Sequence, residues 1–509
     1  MSATAAAGAP TETVPYRNVI LFSVVLCSGL QSMDTFLAAV ALPNMRGELS
    51  VSQDEISWVL TAYLIAVAIA SPPIGWLSRR IGRKRFLMSV IVLFLIFSML
   101  AGSSTSLSEI VTYRFLQGLA AASLVPLSQH IILDIFPKDK IGFALGWWSV
   151  GVMFGAIVGP TLGGALTEYM SWRWVFYVNL PMGMLALTMI AIFLPESERN
   201  ATQRFDWSGF LLLTVALVSM QLMLDRGNRE DWFSSTEIVI EAFLFGAFGY
   251  AFVVHILTAR QPFLDPRIFL NRNFTIGLIL ATMHGVVMVG LTGLLPPFLQ
   301  GLMAMPVLTV GLIMAPRGLA TAVTATISGR LLTFLDPRPL ILFGMALIAF
   351  SMWMMSGFTP ETSMIYFVIV VILQGTGFGM FFVPVNTAAF STLPPHYRGD
   401  ATAFVSLMRK IGSSIGVSIL VGQYIRGAQS IHSVLSQNVT PYNDTLRQQP
   451  LPEMWSMGDL RGLASLDRVV LHQSQFLSYL HDFEWLALFI VLLMPLILLI
   501  ESPLRQGKR

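Results

Sequence analysis

WWSVGVMFGAIVGPTLGG, running from Trp147 to Gly164, decides how the rest of this chain is read. Gly151, Gly155, Gly159 and Gly163 recur every fourth residue, so on a helix they fall along one slowly drifting stripe. A stripe without side chains lets a second helix backbone come close, as small residues do inside a membrane. Pro160 removes one backbone donor and crowds the turn before it, which predicts a kink. One GxxxG pair would mark an ordinary packing face. Four glycines in register, with Gly159-Pro160 and Gly163-Gly164, form a denser pattern than packing alone asks for.

The composition agrees with a membrane setting. Of 509 residues, 55% are hydrophobic and 12% charged, where a soluble chain carries about 25% charged residues. The net charge of +3 does not point to nucleic acid, because the basic residues sit in short segments between apolar runs. The single cysteine, Cys27, lies inside the first apolar run, which leaves no disulfide within the chain and argues against a metal site. Residues up to Pro15 have no basic stretch ahead of a short apolar core, so no cleaved signal peptide is expected.

Apolar runs of about 18–25 residues are the criterion for a span. Fourteen are found, near 18–41, 56–77, 86–105, 109–130, 142–166, 174–195, 208–225, 237–258, 274–299, 305–329, 339–357, 363–386, 400–424 and 483–501. With the first residue inside, 19 Lys and Arg fall in inside segments and 8 in outside segments, which places both termini in the cytoplasm.

An internal repeat supports two halves. Gly75-Trp76-Leu77 is echoed by Gly329-Arg330-Leu331, Gln117-Gly118 with Val125-Pro126 by Gln374-Gly375 with Val383-Pro384, and Phe136-Pro137 by Leu393-Pro394. Both members of each pair run in the same direction, the parallel arrangement of major facilitator transporters, which hold substrate between halves near the midplane. The expected fold is therefore all-α and polytopic: a six-helix bundle over 1–195, an inserted two-helix hairpin over 196–265, and a second six-helix bundle over 266–509. The last contains a long polar outside loop, 427–482, in which Met454-Trp455 and Val469-Val470-Leu471 suggest short interfacial helices.

Charges inside spans cost about 2.5–3.5 kcal/mol each on insertion scales, so each asks for a reason. Asp34 lies 17 residues past Arg17, about 25 Å of helix. An acid at that depth either ties helices together across a wet cavity or carries a proton. Arg114, in the fourth run, has Val371 as its repeat partner, so the repeat keeps the fold and drops the charge. A guanidinium that approached and left Asp34 would couple shape to protonation. Arg317 lies mid-run, and His284 would relay protons, bind substrate or simply pack. With Gln117 and Asn386 these two are candidates for the substrate cavity. Arg409-Lys410 are expected to reach back to the cytoplasmic interface. The methionines, among them Met283, Met288, Met352 and Met355, suit varied apolar ligands or plain packing. No GxxxxGK[ST], HExxH or CxxC pattern occurs, which argues against an ATP-driven or enzymatic function.

As a set, several stretches resemble the EmrB/QacA-type fourteen-span drug:proton antiporters of the major facilitator superfamily. They are Met33-Asp34-Thr35 through Val40-Ala41-Leu42-Pro43, Trp58 to Leu64, Arg114 to Gly118, Gly151 to Gly164, Trp172 to Phe176 with Asn179 and Pro181, and Met314 to Gly318. The resemblance implies an inner-membrane antiporter without cofactor, driven by the proton gradient, exporting small amphipathic compounds. Asp34 and Arg114 would couple protons, and Gly151, Gly155, Gly159, Pro160, Gly163 and Gly164 would be its antiporter motif. Beyond substrate, protons and membrane lipid, the residues around the long last loop resemble members that work with a periplasmic adaptor and, through it, an outer-membrane channel. Two departures stand out. Arg79 occupies a position usually held by aspartate, so the acidic member of the family's cytoplasmic gate is missing and the gate is not carried over. Ala39 stands where a polar residue is common. A dedicated exporter of one metabolite or siderophore would share this machinery, and a non-transporting membrane sensor is the rival of another class.

Overall fold

The computed structural model describes residues 15–137, 140–196, 205–260, 262, 264–440, 443, 455 and 459–501. Among them there is no strand. The first half holds α1 (Arg17–Leu49), α2 (Gln53–Ala70), α3 (Ile74–Ile81), α4 (Arg83–Gly102), α5 (Leu107–Ala121), α6 (Leu124–Ile135), α7 (Ile141–Tyr169), α8 (Trp174–Tyr177) and α9 (Asn179–Phe193). A hairpin follows, α10 (Trp207–Arg226) and α11 (Thr236–Thr258). The second half holds α12 (Arg272–Pro297), α13 (Val307–Leu331), α14 (Pro337–Ser356), α15 (Met364–Ser391), α16 (Arg398–Gln437) and α17 (Leu460–Leu493).

Local chemistry sets the breaks. Ser52 caps α2, its hydroxyl accepting from Glu55 N while Glu55 takes the Ser52 amide, a capping box. Pro72-Pro73 then removes two successive donors, and α2 and α3 meet at a bend of 62°. Pro296-Pro297 close α12 in the same way, and a π turn over Phe298–Leu302 follows. Among the described residues twelve helices are long and apolar enough to cross a membrane, and a thirteenth results if α2 and α3 form one bent span. The run expected over 142–166 is occupied by α7, of 29 residues.

Lipid supplies no hydrophobic force between helices, so close approach of backbones must do the work. The glycine stripe of α7 lies on α1. A Cβ at Gly151 would stand 2.5 Å from the Val25 carbonyl oxygen and one at Gly159 2.7 Å from Phe36 Cβ, while at Gly155 it would strike the Ser32–Met33 backbone. Gly164 faces open space and takes no part in this seam. Pro160 lies within α7, but its side chain is outside the described residues. The second half repeats the device at the corresponding helices: Gly412 and Gly416 of α16 face Thr282 and Val286 of α12.

The halves join at one end. Gly142, at the start of α7, meets Gly329, near the end of α13, with backbones close enough that a Cβ on Gly142 would lie 3.0 Å from the Gly329 oxygen. Trp148 of α7 stacks on Phe382 of α15 at 5.9 Å, and one buried apolar cluster runs from Leu145 and Trp148 into Phe382, Phe390 and Phe404. The hairpin docks on both halves: Thr61 of α2 donates to Asp225, and Ser414 of α16 to Gln221. The outer face of α11 is left apolar and exposed at Phe243, Tyr250 and Leu257, as suits contact with lipid. Both expected junctions around this hairpin fall partly outside the described residues.

The long outside loop needs correction. Residues 427–437 continue α16, and 460–482 belong to α17, so the helices project beyond the apolar runs instead of ending at them. Leu466, Phe476 and Tyr479 are buried along α17, and Ser478 donates to the Tyr424 carbonyl of α16. Val469–Leu471 lie inside this helix and form no separate element. Met454 is outside the described residues.

Candidate functional site

Six helices of the first half, α1, α2, α4, α5, α8 and α9, contribute to the network around Asp34. Its Oδ2 accepts from Arg114 Nη1 at 2.7 Å. Its Oδ1 accepts from Gln117 Nε2 at 3.0 Å and from Asn179 Nδ2 at 2.9 Å. Arg114 also gives Nη1 to Gln117 Oε1 at 2.8 Å and Nε to the Val59 carbonyl at 3.4 Å. Its guanidinium lies 4.1 Å over the Tyr63 ring, and Nη2 is buried with no hydrogen-bond partner. Asn179 is held in turn by Ser98, which donates to the Phe176 carbonyl. Neither Asp34 nor Arg114 has any exposed side-chain surface. A buried ion pair is tolerable only when hydrogen bonds satisfy what the pair leaves over. Here α5 supplies Arg114 and Gln117 one turn apart, and α9 supplies Asn179 at its first turn.

Gln117, expected to line a substrate cavity, is placed between Arg114 and Asp34, fully buried and hydrogen-bonded to both. Being one helical turn from Arg114, it necessarily shares its face.

The second half is built differently. Arg317 of α13 donates to Gln374 of α15 at 3.2 Å. Gln374 is the repeat partner of Gln117, so the arginine–glutamine pair recurs with its cation moved to a neighbouring helix. Arg317 therefore sits within the second bundle. Val371 is buried and apolar. His284 and Asn386 line a small cavity with Phe381, Phe382 and Arg409. Arg409 lies eleven residues into α16, which starts at Arg398, about 16 Å along the helix, with its guanidinium over the Phe382 ring. Met283, Met352 and Met355 are buried in the core of the second half.

At the end where the halves meet, charges bridge them. Arg79 Nη1 reaches Asp400 Oδ2 at 2.9 Å, and Arg398 donates to the Leu133 carbonyl at 2.7 Å. Asp134 pairs with Arg83 in the first half and lies 3.6 Å from Arg398 of the second. Arg79, at the position where the family's gate was not carried over, is paired here with Asp400 of the second half.

Residues 24–417 match the family described as Major Facilitator Superfamily. The chain belongs to the major facilitator superfamily. Among curated proteins it is similar to the Multidrug export protein EmrB of Escherichia coli K12, 33% identical over 84% of this chain and 83% of that protein. It is also 30% identical to the Probable multidrug resistance protein EmrY of the same organism, over 95% of each. A solved relative in fold is the human organic anion transporter MFSD10, with a TM-score of 0.63 at 12% identity, covering 95% of this chain and all of that one. As a major facilitator of EmrB type it is a transporter and no enzyme, a multi-pass protein of the inner membrane.

Within that family setting, sequence reading missed Asn179 as a ligand of Asp34, Ser98 as its support and Arg409 as a cavity residue. Asn179 stood in a quoted family stretch, Arg409 was a charge inside an apolar run, and Ser98 gave no comparable signal.

Proposed function

We propose that this transporter exports amphipathic drugs or toxic compounds in exchange for protons, through fourteen spans with both termini in the cytoplasm. Similarity to proteins named for multidrug export and resistance supports the substrate class. The observation that carries proton coupling is the Asp34–Arg114 pair, wholly buried and satisfied by Gln117 and Asn179.

A proton arriving at Asp34 neutralises the anion that holds Arg114. The guanidinium stays charged at every accessible pH, and a buried charge without its partner is costly. The arrangement that gives Arg114 water or another acceptor is then favoured, so protonation changes the relative stability of the two access states. One proton entering down 100 mV releases about 2.3 kcal/mol, enough to drive a concentration ratio of several tens. The closed basic end, clasped by Arg79–Asp400 and Gly142–Gly329, faces the cytoplasm in this reading. The helical projection of α16 and α17 is the surface for a periplasmic adaptor leading to an outer-membrane channel.

The test is transport in proteoliposomes under an imposed pH gradient, with a panel of anionic, neutral and cationic amphipaths. Uptake that follows the gradient and collapses with an uncoupler is expected. Uptake indifferent to the gradient would remove proton coupling, and movement of one compound only would favour a dedicated exporter.

A further inference from the structure

The second half holds charge that the Asp34 network does not use. Arg409 carries its guanidinium 5.1 Å over the Phe382 ring, and its Nη2 is buried with no hydrogen-bond partner. His284, only 3% exposed, faces the same rings, 5.0 Å from Phe382 and 6.0 Å from Phe381. Its Nδ1 is also buried without a partner. Asn386 stands beside them, accepting at Oδ1 from Gln129 of the first half at 2.8 Å. Together they enclose a cavity of about 10 Å³, the room of a single water. No carboxylate lines it, and among the described residues no ion pair includes Arg409.

An isolated buried cation is costly unless an anion meets it. A guanidinium offers a planar fork of donors that fits a carboxylate or sulfonate, and ring faces beside it accept an apolar body. We propose that Arg409, with His284 and Asn386, is the head-group site for an amphipathic organic anion whose apolar body lies on Phe381 and Phe382. A cationic amphipath would meet like charge there and no acid. This deepens the export function proposed above, and rests on it, by naming the charge of the substrate.

The position also ties the ligand to conformation. Gln129–Asn386 and Trp148–Phe382 are contacts between the two halves, and each involves a residue of the site. The water-sized cavity admits a head group as the halves part, so an anion at Arg409 competes with the contacts that clasp them.

The experiment measures equilibrium binding to the full chain in lipid nanodiscs with three probes of one shape: 2-naphthoate, its neutral amide, and N,N,N-trimethyl-2-naphthylammonium. Saturable binding of naphthoate, at least tenfold tighter than the amide and with no saturable binding of the cation, is expected. Arg409→Gln should bring naphthoate to the level of the amide, and Arg409→Lys should keep part of the difference. Equal binding of amide or cation by the wild-type chain, no saturable binding of any probe, or an undiminished preference in Arg409→Gln would each overturn the proposal. The wild-type comparison stands even where Arg409→Gln does not fold. Transport of the same probes separates the two readings. Naphthoate bound through Arg409 but never moved leaves the site and removes export; the cation moved while naphthoate goes unbound leaves export and removes the site.

Discussion

Arg79 Nη1 lies 3.0 and 2.9 Å from the two carboxylate oxygens of Asp400, a residue 321 positions away in the other half. Arg79 lies in the last turn of α3, and its partner is an acid on the N-terminal turn of α16, where a negative charge also suits the helix dipole. Gly75 packs directly on that aspartate, so the pair is held by shape as well as charge.

The pair is therefore expected to behave as a unit. Arg79→Asp and Asp400→Arg should each lower transport roughly tenfold, about 1.4 kcal/mol, and the double exchange should recover most of it. Transport rates of the four proteins form a double-mutant cycle; additive losses would show that the two residues act separately.

The seam between α1 and α7 gives a prediction about stability. Gly155→Ala puts a methyl group into the Ser32–Met33 backbone and is expected to cost about 1–3 kcal/mol by overpacking, while Gly164→Ala meets nothing within 4 Å. Thermal unfolding of the purified variants checks this, with Gly155→Ala well below wild type and Gly164→Ala close to it.

Arg114→Lys should lower proton-coupled transport at least tenfold, because a point charge cannot serve Asp34, Gln117 and the Val59 carbonyl from one plane. Val371→Ile, at the repeat-related position, should leave the rate near wild type. Equal sensitivity would reduce the asymmetry between the halves to packing.

Deleting residues 438–459, between the projecting ends of α16 and α17, is expected to spare substrate binding and proton exchange in the purified protein. Export across the whole envelope should be lost. Asp34 and Arg114 lie on α1 and α5, remote in sequence from the deletion. Loss of binding by the purified variant would instead make this region part of the transport path.

Some of this was legible in the sequence for physical reasons. A carboxylate and a guanidinium in apolar runs are expensive enough to announce themselves, and Asp34 and Arg114 meet as that cost suggests. The glycine stripe foretold a close helix seam, although only the partner helix shows that Gly164 is outside it. The thirteenth run, 400–424, already held Arg409, but the Phe382 ring of α15 that its guanidinium covers is a contact the run itself does not encode. Polar composition over 427–482 concealed helices held together by a thin stripe at Leu466, Phe476 and Tyr479. Asp400 as the partner of Arg79 is a contact between halves, which no local pattern encodes.

Proton coupling through Asp34 is the central claim, and substrate-driven proton release measures it most directly. Wild-type protein in weakly buffered solution should release protons when an exported compound is added. Asp34→Asn should bind the same compound and release none, since its amide has no exchangeable carboxyl proton to give up. Release of wild-type size from Asp34→Asn would contradict the account and move the coupling site elsewhere in the chain.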